Sequence, residues 1–139
     1  MLIVGAGGHA KEILDILIFD NPEIDVVFYD DITPNLPNKL YGKYKIIKSL
    51  DEAKDFFSLD SRFILGIGSP YARKQLADKF IGIGGKLESV ISATAQIGKF
   101  NISLGEGINI MHNVLVSSNV KIGDGTLINA HSTVHHDTI

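Results

Sequence analysis

From Leu104 to the end of the chain an aliphatic residue recurs at every sixth position: Leu104, Ile110, Val116, Ile122, Ile128 and Val134. Four positions after each stands a small or branched residue: Ile108, Val114, Val120, Thr126, Ser132 and Thr138. Neither the period of a helix nor the two-residue alternation of a strand produces this run. A six-residue period belongs to a solenoid whose coils stack short parallel strands. Three hexads make one triangular coil of 18 residues, so Leu104 is expected to lie on Ile122, Ile110 on Ile128 and Val116 on Val134. Strands stacked in this way sit about 4.8 Å apart. Ile91 and Ile97 keep the same step, but Leu104 follows seven positions later, which places one inserted residue at a corner near 100–103.

The same phase sorts the polar residues. His112 and His131 share a face but lie 19 apart, so they are offset, whereas Asn113 stacks beneath His131 and Ser118 beneath His136. Val134 points inward, and His135, His136 and Asp137 run to the outer corner. No core requires such a cluster there. A histidine titrating near neutrality can take a proton, and a carboxylate beside it can orient and strengthen it. A solvated polar turn is the plain alternative. No metal is expected, because adjacent strand residues diverge and His131, His135 and His136 lack ligand spacing.

The first half follows a different pattern. Leu2-Ile3-Val4 reads as a buried strand, and Ile13, Leu14, Leu17 and Ile18 form one face of a following helix that Asn21-Pro22 stops. Val26–Tyr29 reads as the next strand, 31–43 as loop, Tyr44–Ile47 as a short strand, and Phe63–Ile67 as another. Ser49 with Glu52 suits a capping box, and Pro70 suits the first turn of a helix reaching about Phe80. Strands alternating with helices at this spacing predict a parallel α/β sheet. Gly82-Ile83-Gly84-Gly85 reads as a junction, dividing the chain into 1–84 and 85–139.

Gly5, Gly7 and Ala10 fit the dinucleotide fingerprint G-x-G-x-x-G/A, with Asp30 and Asp31 at the end of the second strand about 20 residues on. An NAD-binding module is therefore one reading. Simple turn geometry is the plain alternative for Gly5, Gly7 and Gly8. His9 stands where an anionic or polar ligand meets a helix N-terminus, or is a solvated loop residue. For Asp30 and Asp31, ligand contact and a polar strand end are both open.

Composition narrows the partners. A net charge of −3 with no basic cluster argues against nucleic acid. The absence of cysteine excludes disulfides, thiolate zinc sites and a cysteine nucleophile, and suits a reducing cytoplasm. The opening residues lack a basic region and reach glycine after four residues, so neither a signal peptide nor a membrane span is expected.

Taken together, the stretch Gly5-Ala-Gly-Gly-His9-Ala-Lys11-Glu, then Asp30-Asp31, the hexads, Ile128-Asn129-Ala130 and His136-Asp137 resemble the NeuD/PglD-type sugar O- and N-acyltransferases over essentially the whole chain. The resemblance implies a Rossmann-like N-terminal domain followed by a left-handed parallel β-helix; general crossover rules would favour the right hand. It also implies acetyl-CoA as acyl donor, a sugar-nucleotide or sialic acid substrate, and a homotrimer with active sites between neighbouring β-helices. His136 matches the general base and Asp137 the acid that raises its basicity, while Gly7, Gly8, His9, Asp30 and Asp31 match the positions that hold the sugar nucleotide. His135 stands where relatives often carry an acidic residue. Relatives continue for further coils that form much of the acetyl-CoA site, so a truncated chain that binds sugar nucleotide and acetylates poorly is expected. A non-catalytic sugar-nucleotide-binding or scaffold protein is the alternative of a different class.

Overall fold

A computed structural model describes all 139 residues. The first half is a six-stranded sheet flanked by three helices, and the second is a stack of short-stranded coils. The first half contains β1 (Leu2–Val4), α1 (Gly8–Asp20), β2 (Val27–Tyr29), β3 (Lys39–Leu40), β4 (Tyr44–Ile47), α2 (Leu50–Phe57), β5 (Arg62–Leu65) and α3 (Pro70–Gly82). β6 (Lys86–Leu87) also joins this sheet, whose order is β3-β4-β2-β1-β5-β6. All pairs are parallel except β3 with β4.

β1 is buried along its whole length, as a central parallel strand covered on both faces must be. Its side chains alternate between two cores. Ile3 packs with Ala10, Ile13, Leu14, Phe28 and Ile64 beneath α1. Leu2 and Val4 pack with Ala53, Phe57, Phe63, Ala77 and Phe80 beneath α2 and α3. Helices on opposite faces follow from this alternation.

The local signals act as expected at most ends. Ser49 accepts from the Glu52 amide at 3.3 Å while Glu52 accepts from the Lys48 amide at 3.1 Å. Ser69 caps α3 with Pro70 in the first turn. The stretch 31–43 is not all loop: Lys39–Leu40 form a short antiparallel edge strand against β4, with Leu40 buried. Two residues with one apolar anchor give no period to read. Likewise Lys86–Leu87 return to the first sheet, two residues after the junction at Gly84.

The second half contains β7 (Val90–Ile91), β8 (Gln96–Ile97), β9 (Ile102–Leu104), β10 (Asn109–Ile110), β11 (Leu115–Val116), β12 (Val120–Ile122), β13 (Leu127–Ile128) and β14 (Thr133–Val134). They form three parallel sheets: β7-β10-β13, β8-β11-β14 and β9-β12. The registers are those of the 18-residue coil: Leu104 pairs with Ile122, Ile110 with Ile128, and Val116 with Val134. Ile91 pairs with Ile110 and Ile97 with Val116, 19 apart, so the extra residue falls in the corner between Ile97 and Ile102. Ile108, Ile110, Val114, Val116, Val120, Ile122 and Ile128 make one core that no single coil could bury.

The corners carry a second six-residue period. Asn101, Gly107, Asn113, Asn119, Gly125, His131 and Asp137 all have φ between +52° and +67°. Each lies three residues from a core anchor. This left-handed conformation suits glycine and is tolerated by asparagine, aspartate and histidine better than by branched residues. One such residue per hexad turns the chain into the next side of the coil.

Val90 and Met111 face away from the coil interior and join the core beneath α1. The two halves are therefore packed together through shared apolar contacts. No helix is long and apolar enough to cross a membrane.

Candidate functional site

In an open parallel sheet, ligands bind beyond the carboxyl ends of strands where the chain leaves in opposite directions. Here that place lies between β1 and β5, since β1 continues to β2 on one side and pairs with β5 on the other. A cavity of about 620 Å³ opens there. It is lined by residues after three strand ends, including Gly7, Gly8, His9, Asp30, Asp31 and Gly68. All five residues expected to hold a sugar nucleotide thus line one cavity.

The glycines divide by what surrounds them. A Cβ on Gly5 would lie 2.7 Å from Ile67 Cδ1 and 2.8 Å from the Gly66 carbonyl oxygen, and its φ is +112°. The fold itself requires glycine there. A Cβ on Gly7 or Gly8 would meet nothing within 4 Å. Those two leave space over the N-terminus of α1, where unpaired amides and the helix dipole favour an anion.

The two aspartates also differ. Asp30 is buried, and both its oxygens are engaged. Oδ2 accepts from the Ala6 amide at 3.2 Å and the Thr33 hydroxyl at 2.9 Å, while Oδ1 accepts from the Ile32 and Thr33 amides at 3.1 and 2.9 Å. It ties the turn after β1 to the loop after β2. Asp31 is partly exposed, accepts from the Tyr29 hydroxyl at 2.8 Å, and lies 3.6 Å from Lys79 Nζ. Burial, then the bond to Asp31, pushes the Tyr29 phenol well above its ordinary range, so it remains a donor.

His9 is nearly buried. Its Nδ1 lies 3.5 Å from Glu12 Oε2 and its Nε2 3.0 Å from the Asn109 side-chain nitrogen. Burial outweighs the attraction of Glu12 and lowers its pKa, with Arg73 adding to the decrease. Arg73, which sequence reasoning passed over, is itself only 3% exposed. Its guanidinium donates to the carbonyls of Leu65, Ile67, Gly107 and Gly125 at 2.8–3.1 Å, joining both halves. Four carbonyls replace the water that burial removes from the charge. A second cavity of about 690 Å³ lies between α3 and the coils, meets the first at Gly68, and is lined by Arg73, Asp124 and Asn129.

His136 and Asp137 stand elsewhere, at a coil corner. His136 Nδ1 lies 2.7 Å from Asp137 Oδ2, with side chains 72% and 66% exposed. Neither residue lines either cavity. Beneath Asp137, Asn101 Nδ2 donates to Asn119 Oδ1 at 2.8 Å, and Asn119 Nδ2 donates to Asp137 Oδ1 at 3.1 Å. His136, then Asn119, holds the Asp137 carboxyl below its ordinary range. Asp137 has a left-handed backbone, with φ of +62°, and its carboxylate reaches back to Nδ1 of the preceding ring. Nε2 of His136 has no partner in the chain and faces outward. The asparagine column repeats every 18 residues, so its signal was present in the sequence at the corner positions.

Residues 1–80 match the PglD N-terminal domain family. The chain belongs to the PglD/NeuD-type family. No curated protein matches this PglD-family chain. Among solved structures it is similar to WeeI from Acinetobacter baumannii AYE, at 25% identity and TM-score 0.81, covering 98% of this chain and 63% of that one. It is similar to PerB from Caulobacter crescentus, solved in complex with CoA and GDP-perosamine, at 27% identity and TM-score 0.74, covering 98% and 62%. The acetyltransferase domain of PglB from Neisseria gonorrhoeae FA1090, at 22% identity and TM-score 0.78, shares the fold, covering 98% and 64%. The chain therefore spans a little under two thirds of the length of these structures.

Proposed function

We propose that the chain forms the nucleotide-sugar-binding and base-bearing part of an acetyl-CoA-dependent sugar acetyltransferase. The observation that carries this reading is the His136–Asp137 pair: Nδ1 is bound by a carboxylate, and Nε2 is free on an exposed corner. Similarity to PerB, which binds CoA and GDP-perosamine, supports both the donor and the substrate class.

Gly7, Gly8 and His9 receive the phosphates of the nucleotide, and Asp31 offers a carboxylate to its hydroxyls or base. Asp30 shapes the wall through its four internal bonds. The same saturation counts against the NAD reading at that acid. The sugar is a nucleotide-linked amino sugar or a sialic acid, so nitrogen or oxygen is the acceptor atom. That atom attacks the thioester carbon of acetyl-CoA as His136 Nε2 takes its proton. The carbon–sulfur bond breaks, CoA leaves as the thiolate, and the imidazolium returns the proton to sulfur. Asp137 stabilises the imidazolium and holds the ring with Nδ1 protonated. No covalent intermediate on the protein is involved; holding both reactants together lowers the barrier. A free imidazole nitrogen on an open corner suits a thioester delivered from outside this chain, and no residue here is assigned to hold the coenzyme.

Because the base lies outside the nucleotide cavity, a neighbouring copy completes the site. We take the assembly to be a homotrimer of left-handed β-helices in the cytoplasm, with residues 1–84 as substrate domain, to whose sheet β6 returns, and the coils of 85–139 as acyltransferase domain. The separation of base and cavity within one chain equally favours a second reading, a binding module without catalysis. Thiol release from acetyl-CoA with a panel of nucleotide-linked amino sugars and sialic acids separates the two. Sugar-dependent release supports the transferase; nucleotide-sugar binding without release supports the binding module and removes the first reading.

A further inference from the structure

Asn109 lies between Ile108 and Ile110, both of which point into the coil core. Its own side chain therefore points the other way, toward the first sheet, and it is 0% exposed. Its side-chain nitrogen donates to the Leu65 carbonyl at 2.8 Å and lies 3.0 Å from His9 Nε2. Turning the amide over would set its oxygen against the Leu65 carbonyl oxygen, so the nitrogen side is dictated. One hydrogen goes to Leu65 and the other to His9. Nε2 must accept, and the ring proton must sit on Nδ1.

The Leu65 carbonyl does not depend on this amide alone: it also accepts from Arg73 Nη1 at 3.1 Å. Asn109 Oδ1 is buried without a partner in the chain, which an apolar residue of similar size would avoid. What the amide does uniquely is hold His9. Nδ1–H in turn faces Glu12 Oε2 at 3.5 Å, and the Glu12 side chain is 65% exposed. An exposed carboxylate oxygen thus takes the acceptor position of Nδ1, and His9 itself lines the cavity together with Gly7 and Gly8.

We propose that Asn109 is a positioning residue for the nucleotide-sugar cavity, holding His9 as the neutral Nδ1–H tautomer so that it gives one N–H to a phosphoryl or hydroxyl oxygen of the ligand in place of Glu12. The proposal rests on the nucleotide-sugar reading of that cavity. It also makes recognition in the first half depend on a residue of the coils. The charged groups facing the ring are Glu12 from α1 and Arg73 from α3. A proton on Nε2 would point an N–H at the Asn109 amide hydrogens, and the lowered pKa of His9 agrees with its exclusion.

The first test needs no variant. In the full chain labelled with ¹⁵N-histidine, long-range ¹H–¹⁵N spectra at pH 7.5 are expected to show His9 with Nδ1 protonated and Nε2 unprotonated. Titration with UDP-N-acetylglucosamine or GDP-mannose should move Nδ1. UDP and GDP alone should reproduce that shift if phosphoryl oxygen is the acceptor, and fail to if the sugar hydroxyl is. An Nε2–H tautomer, or an Nδ1 signal unmoved by bound ligand, overturns the proposal. In Asn109→Asp the proton preference should reverse, and in Asn109→Ala it should weaken, because Glu12 still faces Nδ1. Nucleotide-sugar affinity should fall about tenfold and about threefold respectively, each a lost hydrogen bond's worth. A reversed tautomer with unchanged affinity removes Asn109's role and leaves the cavity assignment standing. Absence of any nucleotide-sugar binding to the unaltered chain removes both.

Discussion

The turn around His9 and the corner around His136 use a histidine in opposite ways. His9 is nearly buried, its Nε2 is met by an uncharged amide, and burial favours its neutral form. His136 is exposed, its Nδ1 is met by a carboxylate, and its Nε2 is free. In both rings the proton belongs on Nδ1, but the reason differs. An amide donor at His9 excludes a second ring proton, whereas a carboxylate acceptor at His136 stabilises the charged ring once a proton arrives. The same side chain becomes a fixed donor in a closed place and a base in an open one. Solvent access and the sign of one neighbour decide which.

The contrast is broken most forcefully at His136. With acetyl-CoA and an accepted sugar, His136→Ala is expected to lower turnover by about 10²–10⁴-fold, the ordinary worth of a general base, with nucleotide-sugar affinity unchanged. Equal turnover in the variant, measured as thiol release, would remove His136 as the base. Next in size is the junction that keeps His9 closed. Arg73→Met retains the apolar stem but takes the guanidinium donor from the Ile67, Gly107 and Gly125 carbonyls, leaving Leu65 with Asn109 alone, and should destabilise the fold by about 3 kcal/mol in urea unfolding. A loss under about 1 kcal/mol would mean that water replaces the guanidinium and that the junction is held by Val90 and Met111.

The pH dependence sharpens the comparison further. The pKa of His9 lies below 6.5 in the folded chain, so the unfolded chain binds the extra proton first as pH falls. Its contribution to stability is complete above that ordinary value and is lost as pH drops through 6.5 toward the lowered folded value. Melting temperatures at pH 7.5 and 5.5 should therefore converge in His9→Gln relative to the unaltered chain; an identical difference in both would contradict the burial argument. The smallest effect lies in the asparagine column. Asn119→Ala should raise the Asp137 carboxyl pKa, by less than His136→Ala does, because the histidine is the larger cause. Carboxyl ¹³C titration reads both, and the reverse order would show that the column, rather than the ring, holds the carboxylate.

Legibility followed the range of each interaction. Coil registers were read directly from Leu104, Ile110 and Val116, because stacking partners in a solenoid are set by counting residues. The corner insertion was visible as a single step of seven. The strand at Lys39–Leu40 was missed because its one buried residue has no repeat to join. The left-handed corner series was present in Asn101, Asn119 and Asp137, but its meaning needs the corner geometry. Asn109 gave no signal, since an outward coil position is polar by default. Arg73 likewise looked like any surface residue of a helix.

Periodicity, caps and turn residues were enough to determine two successive architectures, the coil register and the placing of His136 and Asp137 at an outer corner. Each of these rests on contacts set by local count or by a fixed repeat. Only the tertiary structure decided that Asn109 meets His9 across 100 residues, that Arg73 bonds Gly125 across 52, and that Asp30 has no oxygen to spare. Those contacts depend on how two finished surfaces dock. Docking is set by shape and by the demand that every buried donor find an acceptor, and no period in the chain encodes either.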